Sequence, residues 1–556
     1  MNLNLKNTDS EINPKWKASL SIPVIHPDLP RNTENVPFDI YDYEMLFNDE
    51  GTKKLIREGN TIGCFYIESP GMRSLLQRLN CDTFEMLTAA SSVIRPGVAE
   101  SGMMQEFIER HKNPKRRKYL VKEMELYLGE TYGVMIYQED VIKVAHHIAG
   151  LTLEEADLLR RAMSGKLRSR DAMKRLAERF EESCAGKGFS QSVTKELWRQ
   201  IESFAGYAFC KAHSASFALL SFQVAYLKVH YPAEFMASVL SNRGGYYSPA
   251  VYVQECIRMG LKVLLPCVNN SFYDYSAAGK TVRIGFVELK NFSKKSAGKI
   301  SAERERNGSY KSLQDFLTRT GTGYEESSIL IRCGAMDIFG KTRPTLMRLL
   351  DVYMSHRRLI DNRNGNLFAE ETLKLEKEIE TDIDYSIGEK CAIEYETFGY
   401  MITRHPLEFF GNVTSRKDIV KAADIKKYNG KRVKMLGWYM TSKRIKTKKG
   451  EIMKFLSLED LTGTFEAVIF PKVYNGCAEL TMSMGPYLIE GIADMVNGNN
   501  IVVEKLAVLT SQKTLAVTEK DSAENKYFGD TEKFDEEEIG LVEALDKEKL
   551  RRAYVE

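Results

Sequence analysis

Between about residues 430 and 510 the apolar residues of this sequence change period. KRVKMLGWYM, MKFLSLED, FEAVIF, PYLIEGIAD and NIVVEKLAVL are short runs of strand length and pattern, separated by turns such as KKG and LTG. Side chains two apart share one face of a strand, so these runs predict five short strands. Five strands at this spacing suggest a small barrel of oligonucleotide-binding type, placed at 426–514.

Upstream, the period is helical. From about 51 to 240 the apolar positions recur at helical spacing, and LTLEEADLLRRAM carries its own start signal. Thr152 with Glu155 three residues on makes a capping box, and Ala156, Leu159 and Met163 mark a stripe. A second helix is predicted from Ser214 to His230, with Phe217, Leu220, Val224 and Leu227 on one face and Pro232 after its end. Between 241 and 345, LKVLLPCVN and TVRIGFVEL read as strand-like. KSAGKISAERER and SSILIRCGAM read as short helices after turns, a pattern like a tandem pair of helix-hairpin-helix units. Residues 346–425 look like a charged helical linker with loops, 1–50 like a tether, and 515–556 like an acidic tail. The whole is a multidomain α+β chain, as 556 residues are too many for one core.

Composition excludes little. The net charge of +3 is near neutral, although KNPKRRK at 112–118 and the cations of 160–175 are locally basic. The nine cysteines show no CxxC pair, so no metal site is expected, and the polar start and lack of long apolar runs predict a cytoplasmic chain away from membranes.

Two stretches carry chemistry. SFAGYAFCKAHSASF (203–217) sets Lys211 and His213 just ahead of a helix start at Ser214, where unpaired amides and the helix dipole favour an anion. LLRRAMSGKLRSR places Arg160 and Arg161 at the edges of a buried stripe, with Lys166 on the following turn, an arrangement suited to phosphate. A capped helix start and a solvated basic face are the competing readings of the same residues.

ESPGM (68–72), RPG…SGM (95–103), TYGVMIYQEDV (131–141), ADLLRRAMSGK (156–166), FAGYAFCKAHSASFA (204–218) and HYPAEFMA (230–237) follow one another in this order. Together they resemble the fingers of the bacterial C-family DNA polymerases, the DNA polymerase III α-subunit and its error-prone relatives. The likeness covers roughly residues 38–510. It implies that Arg160, Arg161, Lys166, Lys211, His213 and Ser214 meet an incoming deoxynucleoside triphosphate. Cys210 and Ala212 stand where replicative members usually carry Asn and Ser, which is closer to the error-prone branch.

The resemblance also implies what to expect elsewhere. The family's metal-binding carboxylates lie in a palm domain ahead of the fingers, so no catalytic residue or metal ligand is expected in this chain, and Mg²⁺ is expected only with the palm and the bound nucleotide. On that basis the chain alone should not polymerise, and a separate palm-containing polypeptide is one candidate partner. Asp39, Asp42, Asp382 and Asp384 are set aside as decoys. LKNFS (289–293) lacks the glycines of the family's LKGVG hairpin, so packing rather than DNA contact is expected of that unit. In the barrel, Lys443, Arg444, Lys446 and Lys448 with Trp438 suit single-stranded template, against the alternative of a lysine-protected edge strand. Leu367 and Phe368 of NGNLF resemble the family's sliding-clamp-binding peptide. The expected function is the nucleotide- and DNA-holding portion of a DNA-directed DNA polymerase in replication or error-prone repair; the alternative is a non-catalytic nucleic-acid- and clamp-binding derivative.

Overall fold

A computed structural model describes residues 39–94, 102–163, 170–202, 210–355, 378–447, 449–496, 498, 500–509 and 514–518. They form two compact units. One gathers the described residues up to Tyr231, Gly244–Glu255 and those from His405 onward; the other gathers Pro232–Arg243 and Cys256–Arg404.

Caps set the helices of the first unit. Helix α1 (Pro70–Leu79) starts with Ser69 as its cap and Pro70 at its first position, where no amide is missed. Helix α2 (Phe84–Val93) is capped by Thr83. Helix α3 (Gln138–Lys143) runs directly into a π-turn at Val144–Ile148. Helix α4 (Leu153–Met163) opens on the expected capping box: Thr152 N donates to Glu155 Oε2 at 2.8 Å and Glu155 N to Thr152 Oγ1 at 3.1 Å. Ala156 and Leu159 are fully buried along its stripe.

Helix α5 (Lys211–His230) departs from the sequence expectation twice. It starts three residues early, so Lys211 and His213 lie in its first turn rather than ahead of it. Its buried face is Ser214, Ala218, Ser221, Phe222, Ala225 and Lys228, while Leu220 is exposed. The cause is its neighbour. Helix α5 packs along α2, which offers the small buried residues Ala89, Ala90, Ser91 and Ser92, and Ser92 Oγ donates to Ser214 Oγ at 2.7 Å. Small faces let two helices approach closely, and the larger apolar side chains turn to the flank, where Phe217 stacks on Phe65 at 5.5 Å. Buried Lys228 is matched by Asn60 O, Ile62 O and Glu255 Oε1 at 2.8, 2.7 and 2.6 Å, so its charge is not left unpaired.

In the second unit, β1 (Lys262–Leu264), β2 (Ser276–Ala278) and β3 (Thr281–Arg283) form a sheet of order β1-β3-β2 with β1 and β3 parallel. Helices α6 (Lys294–Asn307) and α7 (Tyr324–Arg332) follow. In the turn before α6, Asn291 takes φ 62°. Asparagine tolerates this left-handed conformation better than most residues, so the chain turns there without the glycine. After α7, Gly334 has φ 85°, and a Cβ there would strike the Arg343 guanidinium. That guanidinium donates to Arg332 O at 3.0 Å and pairs with Asp337 at 2.8 Å. Helices α8 (Arg343–Ser355) and α9 (Ile387–Phe398) also belong to the unit. Within 378–404, part of the stretch expected to be a helical linker with loops, α9 is packed into this unit. Glu394 is buried and accepts from Ile402 N and Thr403 N, and Tyr400 and Tyr275 share a 2.7 Å hydroxyl bond.

The remaining strands are β4 (Arg432–Lys446), β5 (Ile452–Asp460), β6 (Gly463–Ile469), β7 (Tyr487–Asp494), β8 (Asn500–Leu509) and β9 (Thr514–Thr518), with helix α10 (Pro471–Cys477) between β6 and β7. Their order is β6-β5-β4-β7-β8-β9, and a parallel β6–β8 pairing closes the first five into a barrel of oligonucleotide-binding type. Val433, Met435, Leu456, Leu458, Tyr487 and Ile489 fill it. Gly437 is required in β4, because a Cβ would sit 2.8 Å from both Leu458 and Phe465.

Candidate functional site

One cation from each basic stretch, Arg160 and Lys211, reaches the start of α3. Arg160 Nη1 donates to Gln138 Oε1 at 3.1 Å. One residue along, Glu139 Oε2 accepts from the backbone N of Lys211 at 2.8 Å, and the Lys211 ammonium lies 5.4 Å above the Tyr137 ring. Residues 22 and 72 positions away in sequence thus meet on two neighbouring side chains. Asp140 fixes this corner by accepting from Ile136 N and Tyr137 N, both at 3.0 Å; burial pushes its carboxyl up to about 6, against the pull of those amides.

Each cation has a carboxylate of the chain beside it. Asp157 takes Arg160 Nη2 on one oxygen at 2.8 Å and Arg161 Nε on the other at 2.7 Å. The hydrogen bond from Arg160 is the main reason its carboxyl lies below the usual range. Glu130 takes Lys211 Nζ on both oxygens, at 2.9 and 2.7 Å, with Lys143 3.7 Å away. Burial raises the Glu130 carboxyl, but Lys211 and Lys143 outweigh it and hold it low. Arg160 is the more enclosed of the two arginines, at 24% side-chain exposure against 58% for Arg161. His213 is half-buried, its ring 4.3 Å from Phe217.

Ser214 does not face this cluster as an anion-binding helix start would. It is fully buried in the α2–α5 contact, in the fourth position of its helix. Lys166 lies outside the described residues, as do Lys448, Leu367 and Phe368. Sequence reasoning missed Gln138, Glu139, Glu130 and Asp157. A signal existed for Asp157, three and four residues before its arginines on one helix face; none existed for Glu130, 81 residues from Lys211.

On the barrel, Lys443, Arg444 and Lys446 are exposed, and Trp438, Tyr439 and Phe455 are half-buried. Residues 441–446 of β4 pair with β5 alone, whereas 432–437 pair with β7, so the basic half of the strand has one open side in the register. Buried Lys454 lies opposite Arg444. Burial, with the Arg444 charge adding to it, pulls the Lys454 ammonium down to about 8, and it donates to Thr481 O at 2.7 Å. Beside Arg73 of α1, which donates to Thr464 Oγ1 at 2.9 Å, burial pushes the Glu466 carboxyl up to about 7.

Of the acidic decoys, Asp42 caps the Tyr43–Asn48 helix and Asp39 accepts from Tyr41 N. Asp384 pairs with Lys390 at 2.6 Å. Among the described residues no group of three or more His, Cys, Asp or Glu is placed to hold a metal ion, and no helix is long and apolar enough to cross a membrane.

Comparison with known proteins fits this organisation. The model of the bacterial DNA polymerase III alpha subunit finger domain matches residues 28–188, and that of the helix-hairpin-helix motif matches 260–346. The DNA polymerase III subunit alpha of Campylobacter jejuni is 34% identical over 440 residues, covering 76% of this chain and 36% of that protein. Those of Bacillus subtilis and Aquifex aeolicus are 32% and 31% identical, each over 82% of this chain and over 40% and 38% of their own length. The chain thus spans less than half the length of the curated relatives it matches. It is homologous to the bacterial DNA polymerase III alpha subunit and carries a finger domain, a helix-hairpin-helix motif and an oligonucleotide-binding-type barrel in that order.

Proposed function

We propose that these residues hold the incoming deoxynucleoside triphosphate and the template for a DNA-directed DNA polymerase of the polymerase III α type. The observation that carries this is that Arg160 reaches Gln138 while Lys211, bound through its backbone N to Glu139, sets its ammonium over Tyr137, with Arg161 joined to Arg160 through Asp157. Phosphoryl transfer depends on positioning and on offsetting phosphate charge, and a guanidinium and an ammonium at one corner, with a second guanidinium beside them on α4, supply both. His213, in the first turn of α5 with Lys211, is assigned to the same ligand, and Lys166 joins it on the sequence argument alone. Mg²⁺ would arrive with the triphosphate. The bond-making carboxylates are assigned to a palm domain, so these 556 residues assayed alone add no nucleotide to a primer.

The barrel is assigned to single-stranded template through Lys443, Arg444, Lys446 and Trp438, and the segment containing Leu367 and Phe368 to the sliding clamp. Cys210 and Ala212 favour the error-prone branch. The test is binding of a magnesium deoxynucleoside triphosphate to the chain. Binding that is weakened by Arg160→Ala and by Lys211→Ala supports the assignment. Binding that both variants leave unchanged makes the two residues a solvated face and overturns it.

A further inference from the structure

We infer that Glu130 and Asp157 occupy the phosphate positions of this site, so that a polyanion must displace them to enter. The inference rests on the assignment of Arg160, Arg161 and Lys211 as phosphate ligands and adds what those ligands do beforehand. Asp157 offers one oxygen to each arginine, at 2.8 and 2.7 Å. Glu130 offers both oxygens to one ammonium, at 2.9 and 2.7 Å. Two oxygens of one group spread over neighbouring donors is how a phosphate is also held. Both carboxylates are kept ionised by the cations they neutralise.

The two come from independent places. Asp157 is part of α4 with its arginines, whereas Glu130 is brought in on the Gly129–Thr131 turn. A ligand that replaces both must present charge at two points, one at Arg160 beside Gln138 and one at Lys211 above Tyr137, which a triphosphate can do and a single phosphate cannot. The pairs are half-exposed, so displacement is not prohibitive. It instead subtracts from affinity, and it subtracts most from ligands of low charge. Glu130 and Asp157 are positioning residues that set selectivity for polyphosphate length.

The experiment is equilibrium binding of inorganic tripolyphosphate, inorganic phosphate and a magnesium deoxynucleoside triphosphate to the full chain, its Glu130→Gln and Asp157→Asn variants and the double variant. Arg160→Ala and Lys211→Ala serve as references, and the thermal midpoint of each is measured in parallel. Each neutral variant should bind tripolyphosphate and the nucleotide about two- to fivefold more tightly, the range a half-exposed ion pair supports. The double variant should gain roughly the product and narrow the preference for tripolyphosphate over phosphate. Its midpoint should stay level or fall, a direction that loss of structure does not couple to tighter binding. Equal or weaker binding by the neutral variants, with Arg160→Ala and Lys211→Ala still impairing the parent, overturns this inference and leaves the proposed function standing. Binding that ignores Arg160 and Lys211, or no binding by any variant, overturns both.

Discussion

The α3 corner and the barrel hairpin are both basic in sequence, yet they hold their charge differently. At the corner, Arg160, Arg161 and Lys211 each have a carboxylate within 2.9 Å. On the hairpin, Arg444 and Lys446 are exposed, and among the described residues no carboxylate forms an ion pair with them. Neutralised cations suit a discrete ligand that competes for a few fixed donors. Open cations suit a polymer, whose binding draws on the release of condensed counterions and tolerates loose geometry. A count of lysines and arginines would have treated the two regions alike.

Five variants test that contrast, in falling order of effect. The double variant Arg160→Ala/Lys211→Ala should lose the most, since each charged phosphate contact is worth ~1.5–3 kcal/mol, or about ten- to a hundredfold in nucleotide affinity. Its affinity for single-stranded DNA, followed by fluorescence anisotropy, should be that of the parent. Replacing Lys443, Arg444 and Lys446 with Gln should do the reverse. DNA affinity falls and the slope of log K against log salt flattens by about 2, from ~0.7 for each phosphate contact removed. If nucleotide binding fell with it, the two regions would be one site. Trp438→Ala should cost about 1–3 kcal/mol of DNA affinity at every salt concentration, because stacking is not a counterion effect.

The smallest effect is on stability, and it distinguishes enclosed charges of the barrel strands from exposed ones. Lys454 has its folded pKa lowered to about 8 from near 10.5. Folding therefore penalises its charged form. The penalty is full below pH 8, and stability recovers as pH rises from about 8 toward the unfolded value. Glu466 has its folded pKa raised to about 7 from 4.5, so its contribution is lost as pH rises between those values. Thermal midpoints across pH 4–10 should show the fall flattened in Glu466→Gln and the rise flattened in Lys454→Met. Unchanged profiles would place both groups in contact with water.

The features legible in the sequence were local ones. The barrel strands follow from period, and the start of α4 follows from Thr152 and Glu155, because capping is settled within one turn. The buried face of α5 was not legible. Its apolar residues point to one face, but the small residues of α2 draw the other inward, and no property of α5 alone contains that preference. At the site, cations were found by type and spacing. Glu130 was not, because a partner 81 residues away becomes a neighbour only through tertiary packing.

The barrel closes along a narrow seam. Glu466, Ala467 and Val468 of β6 meet Asn500, Ile501 and Val502 of β8 in parallel, while β4–β5, β5–β6 and β7–β8 are antiparallel neighbours in sequence. If the seam parts, the barrel opens into a sheet without loss of any of those hairpins. Opening of this kind is local and costs less than unfolding the domain. Amide hydrogens of the seam should therefore exchange with deuterium ahead of those in the β4–β5 ladder.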